Sequence, residues 1–157
     1  MSAWQVALVA AGVALAAVNA GAFFAFSNFV MPALGRLDRP EGIRAMQQIN
    51  LLAPNPLFVA AIMGAGPIGI PVAIASWDQL GETGHTSLLA AIVLSIGSTL
   101  VTITLNVPRN NALDAVESDS AAGATLWNDY LVTWTRANTA RSLASIASVV
   151  LYALAFR

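Results

Sequence analysis

The chain has 157 residues, of which 57% are hydrophobic and only 10% charged, with a mean hydropathy of +0.71. A soluble domain carries about 25% charged residues, so the composition points to a chain embedded in lipid, and one membrane domain over residues 1–157 accounts for the length. A net charge of −1 gives no basic field for nucleic acid. The lack of cysteine excludes disulfides, thiolate metal sites and a cysteine nucleophile, and the single histidine, His85, excludes bis-histidine haem ligation within one chain.

The first apolar run, Trp4 to Val30, is long enough to cross a hydrocarbon core of roughly 30 Å, which takes about 20 helical residues. It has no positive residue ahead of it and outruns a signal sequence, so a retained transmembrane helix is expected. Small residues at Gly12, Ala16 and Ala20, and at Ala17, Gly21 and Ala25, let another backbone come close. They serve packing within a bundle or dimerisation equally well, which leaves an oligomer open. Next, Glu41 to Leu52 reads as a short helix with Pro40 at its start, broken by Pro54-Asn55-Pro56. The second run, Leu57 to Ala75, holds Gly64, Gly66, Pro67, Gly69 and Pro71 and should be kinked. A Gly- and Thr-rich turn, Ser76 to Ser87, carries Asp78, Glu82 and His85. The third run is Leu88 to Leu105, and Pro108 is expected to end its helix. The fourth, Ser142 to Phe156, belongs to a helix that starts well before it.

Four runs predict an all-α fold: an integral membrane four-helix bundle with a short cytoplasmic helix between helices one and two. All seven cations are arginines. Arg36, Arg39 and Arg44 follow run one; Arg109, Arg136 and Arg141 lie between runs three and four. The positive-inside rule puts both connections in the cytoplasm and both termini outside, with Arg157 dissenting. The absence of lysine beside abundant alanine is the composition of a GC-rich genome, and a bacterial cytoplasmic membrane is the expected location.

Trp127, Tyr130, Trp134, Asn138 and Arg141 recur every three or four residues and share one helix face. An interfacial aromatic belt with a snorkelling arginine gives the same spacing, but an amide gains nothing against lipid. Ser95, Thr99, Thr102 and Asn106 form a matching stripe, which also reads as helix–helix glue. The segment Asn106 to Asn111 also reads as turn chemistry. On the topology above, Ser27, Asn28, Asn50, Asn55, Asn106, Asn110, Asn138 and Arg141 all fall near the cytoplasmic face, with Asn19 deeper. Their convergence predicts a pocket for an anion or enolate, walled by Phe23, Phe26 and Trp134.

Four stretches carry a family resemblance: Phe26 to Leu34, Gly42 to Asn50, Asn106 to Leu113, and Trp127 to Arg141. With its Asn-x-Pro-x-Asn and Trp-x-x-x-Asn-x-x-Arg spacings, the chain resembles the anthrone oxygenase family of small integral membrane proteins. The resemblance implies a four-helix membrane protein, and in fungal relatives the oxidation of polyketide anthrones to anthraquinones. The anion of such a substrate reacts directly with O2, so no cofactor and no metal is expected; the protein would stabilise the anion and exclude water. Asn106, Asn138 and Arg141 suit the catalytic task, two amide donors and a charge for the oxyanion. Ser27, Asn28, Asn50, Asn110 and Trp134 suit binding of an aromatic substrate, with Trp134 stacking on its rings. No base is evident: His85 falls on the other side and Asp129 is one position off the face. A water or a substrate phenolate is left for that role. The alternative reading is a non-catalytic membrane protein that binds a lipid, a quinone-like molecule or a membrane partner. A small transporter would need the polar stripe to reach the outer face, where the helices are apolar.

Overall fold

The computed structural model describes residues 1–77 and 86–155, and among these all regular structure is helical. Six helices follow in order. They are α1 (Ala3–Leu34), α2 (Arg39–Leu52), α3 (Pro56–Gly64), α4 (Gly69–Ala75), α5 (Thr86–Asp114) and α6 (Ala121–Leu154). The segment with Asp78, Glu82 and His85, like Phe156 and Arg157, lies outside the described residues.

By length and composition α1 and α5 can each cross a membrane, and α3 with α4 makes a third span if that pair, bent by 44°, is counted as one. These apolar helices are compatible with a membrane protein. The fourth expected span falls outside this count: α6 is a single 34-residue helix whose apolar part begins only at Ser142.

Helices α1 and α5 share an irregularity. Each contains a five-residue π-helical turn, Phe26–Val30 in α1 and Thr102–Asn106 in α5, followed at its second next residue by proline, Pro32 and Pro108. A proline inside an α-helix has no N–H to donate and its ring crowds the carbonyl four residues back. The wider turn absorbs that conflict, and each proline then sits in the first turn of the following α-segment. Pro108 therefore does not end the third helix, as expected from sequence; α5 continues to Asp114.

Helix α6 lies along both α1 and α5. Its seam with α5 is made of paired hydroxyls, Ser95 with Ser148 at 2.7 Å and Ser98 with Ser145 at 3.1 Å. Near the α3–α4 bend, a Cβ on Gly66 would lie 2.7 Å from Thr99 Oγ1, and one on Gly69 2.7 Å from Ile92 Cγ2. These glycines bring the bend and α4 against α5, while α3, turned by 44°, packs chiefly on α1. Two apolar clusters result, at opposite ends of the long helices. One holds Val9, Val72, Leu88, Ile92 and Tyr152; the other holds Met31, Ile43, Met46, Leu113, Trp127, Tyr130 and Trp134.

Candidate functional site

Where α3 turns away, a cavity of about 360 Å³ remains, at the lower end of the roughly 300–1,000 Å³ of small-molecule sites. Its wall is mostly apolar, with Phe23 and Phe26 from α1, Met46 from α2, and Phe58 and Ile62 from α3. The polar groups on it are Asn50, Thr102, Asn106, Asn110 and Arg141, beside the Trp134 ring. Phe26, Thr102 and Asn106 come from the two π turns, so both irregular turns border the cavity.

Arg141 is 6% exposed. Its Nε and Nη2 donate to Asn138 Oδ1 at 3.1 and 2.8 Å, and Nη1 donates to Thr102 Oγ1 at 3.0 Å. The guanidinium lies 3.9 Å from the Phe23 ring centroid and 5.4 Å from that of Trp134. Of five N–H groups, three are thus engaged and two are left. Among the described residues no carboxylate pairs with it. Burying a cation without an opposite charge is costly, and only neutral oxygens and ring faces offset that cost here.

Asn138, fully buried, holds this arrangement. Its Nδ2 donates to Phe23 O at 2.7 Å and to Ser27 Oγ at 2.6 Å, while its Oδ1 takes both bonds from Arg141. All of its hydrogen-bonding capacity is used inside the protein, and it is not on the cavity wall.

On the α5–α6 side, Asn110 Oδ1 accepts from Trp134 Nε1 at 2.6 Å and from the Tyr130 hydroxyl at 2.8 Å. Trp127, Tyr130 and Trp134 stack in sequence, with centroids 5.6 and 5.7 Å apart. Burial pushes the Tyr130 phenol well above its ordinary range, so it remains a donor. Asn50 Nδ2 donates to Asp114 Oδ1 at 2.9 Å, and Gln47 Nε2 to the carbonyls of Leu113 and Val116, which ties α2 to the end of α5.

Of the residues singled out from sequence, the structure brings Asn50, Asn106, Asn110, Trp134 and Arg141 to one cavity. Ser27 and Asn138 stand behind Arg141 rather than on the wall. Asn28 is exposed and away from the cavity, and Asn55 caps α3 by accepting from Phe58 N at 3.0 Å. Asn19 is buried, with Nδ2 on Ile62 O, and is also off the wall. Thr102 was read only as part of the stripe, yet it holds Arg141 directly; its place one turn before Asn106 was the available signal. Phe58 and Ile62 carried no signal, because their place depends on the bend. Among the described residues no group of three or more Cys, His, Asp or Glu side chains could hold a metal ion.

No curated protein and no solved structure matches the chain. The family model described as anthrone oxygenase matches residues 56–151, a stretch that includes Thr102, Asn106, Asn110, Trp134, Asn138 and Arg141. With more than half of its length so matched, the chain belongs to the anthrone oxygenase family.

Proposed function

We propose that the protein is a cofactor-independent oxygenase of anthrone-like aromatic polyketides, and that Arg141 stabilises the substrate's enolate or phenolate for reaction with O2. One observation carries this reading: a buried arginine, without a carboxylate partner among the described residues, borders an apolar cavity of small-molecule size. An anionic oxygen supplies the missing charge and accepts from the two unengaged N–H groups, in surroundings where such bonds are stronger than in water. Loss of a methylene proton leaves a delocalised carbanion–oxyanion; O2 takes its electrons at that carbon, and loss of water from the hydroperoxide gives the quinone. Trp134 and Phe26, with centroids 5.7 Å apart and planes tilted by 54°, offer ring faces for a flat substrate.

The same reading takes α1, α3 with α4, α5 and the C-terminal half of α6 as four spans of a transmembrane bundle. The cavity and α2 then lie toward the cytoplasm and both termini lie outside, as the arginine distribution supports. A bacterial cytoplasmic membrane is the proposed location.

A second reading has its own support. The described wall residues include no carboxylate and no imidazole to take the methylene proton. In that reading the cavity holds a quinone-like or other aromatic anion without turnover. O2 consumption by detergent-purified protein given a hydroxylated anthrone decides between them. The oxygenase predicts a rate well above protein-free autoxidation that Arg141→Ala loses. A rate equal to autoxidation in both proteins favours the binding role.

A further inference from the structure

Two sides of the cavity are bounded differently. Toward α2 it is covered. Met46, Ile49 and Asn50 line it there, and three hydrogen bonds hold α2 against the end of α5 and the turn that follows: Asn50 Nδ2 to Asp114 Oδ1 at 2.9 Å, and Gln47 Nε2 to the carbonyls of Leu113 and Val116 at 2.9 and 3.0 Å. Between α3 and α5 the wall reaches the outer surface. Val59 of α3 and Val107 of α5 both line the cavity, yet they are 41% and 42% exposed. The bend is the cause. On the far side of it Gly66 and Gly69 sit against α5, whereas α3 turns to α1, where Asn19 Nδ2 donates to Ile62 O at 3.3 Å.

The helices on either side of this gap offer nothing polar to water. No residue from Pro56 to Gly64 has a polar side chain. On α5 the exposed Ile103 and Leu105 precede Val107, and the exposed Thr104 spends its hydroxyl on Leu100 O at 2.8 Å. We propose that the gap between α3 and α5 is a lateral mouth, through which an uncharged hydroxylated aromatic dissolved in the bilayer enters the cavity while α2 closes it to water. Both helices belong to segments apolar enough to cross a membrane, α3 as half of a bent span, so hydrocarbon lies outside the gap. The hydrophobic effect concentrates an aromatic ligand in that hydrocarbon, whereas an ion is costly there. The form admitted is therefore the neutral phenol, and its oxygen meets Arg141 only inside. This rests on the cavity being the ligand site and not on turnover.

The chain has no cysteine, so Val107→Cys carries a single thiol. The full-length variant in phosphatidylcholine vesicles is compared before and after reaction with N-cyclohexylmaleimide. Binding of a monohydroxyanthraquinone is followed by stopped-flow quenching of tryptophan fluorescence. The adduct should slow association and dissociation alike, by about tenfold, because an obstacle in a passage acts in both directions. Unchanged rates after complete labelling would overturn the proposal. So would weaker binding without slower dissociation, which places Val107 against the ligand rather than on its path. Val59→Cys, across the gap, gives the same comparison if Val107→Cys does not fold. Gln47→Ala loosens α2 and should leave the association rate as in wild type; faster association would put the entrance under α2 instead. In each of these outcomes the probe still binds and the cavity reading stands, whereas a probe that does not bind wild type overturns both.

Discussion

Along its length α6 meets α5 in two ways. From Ser145 to Ser148 the contact is made by short hydroxyls, each with a partner across the seam, and the helices close against each other. From Tyr130 to Arg141 it is made by rings, amides and a guanidinium, and a cavity remains. Both stretches bury polar atoms, so polarity alone does not mark a site. What differs is charge and room. The serine seam holds neutral groups that satisfy one another, whereas among the described residues Arg141 has no opposite charge and Asn106 Oδ1 no donor.

The first way to break this contrast is to disturb the bend that creates the room. Gly66→Val would put a branched side chain where even a Cβ lies 2.7 Å from Thr99 Oγ1 and 3.4 Å from Ile96 Cα. Overpacking there should cost about 3 kcal/mol, seen as a lower denaturation midpoint in detergent. An unchanged midpoint would mean that α5 does not hold the bend. A smaller effect is expected from Asn138→Leu. It leaves two guanidinium N–H groups without partners, a loss of about 2 kcal/mol. It should also reduce affinity for an ionised hydroxyanthraquinone about tenfold, because a charge-assisted pair depends on fixed geometry. Wild-type affinity in this variant would show that Asn138 does not position Arg141.

Much of this was legible in the chain. The spacing of Trp127, Tyr130, Trp134, Asn138 and Arg141 gave one helix face, and all five are buried. Of the stripe ending at Asn106, Thr102 and Asn106 meet this face, while Ser95 pairs with Ser148 and Thr99 lies against Gly66. The π turns were not legible, and Pro108 was read as a stop because a wide turn just ahead of a proline has no local signature. Asn28 was grouped with the site by its height in the membrane alone. Height along a helix does not give direction around it, and within a π turn ordinary helical spacing fails. Nor does residue type tell an amide on the cavity wall from one that holds an arginine behind it. Asn106 and Asn138 look alike in sequence, yet one lines the cavity and the other stands behind it with all of its polar atoms bonded.

The measurement that bears most directly on Arg141 is the ionisation of a bound phenol. A monohydroxyanthraquinone changes colour when it ionises, so its titration can be followed by absorbance while bound to the detergent-solubilised protein. An apolar cavity disfavours the anion and a neighbouring cation favours it. In wild type the bound phenol should ionise at lower pH than the same compound in empty micelles, and in Arg141→Met at higher pH. The same ionisation pH in both proteins would contradict a cavity whose cation awaits a ligand's negative charge.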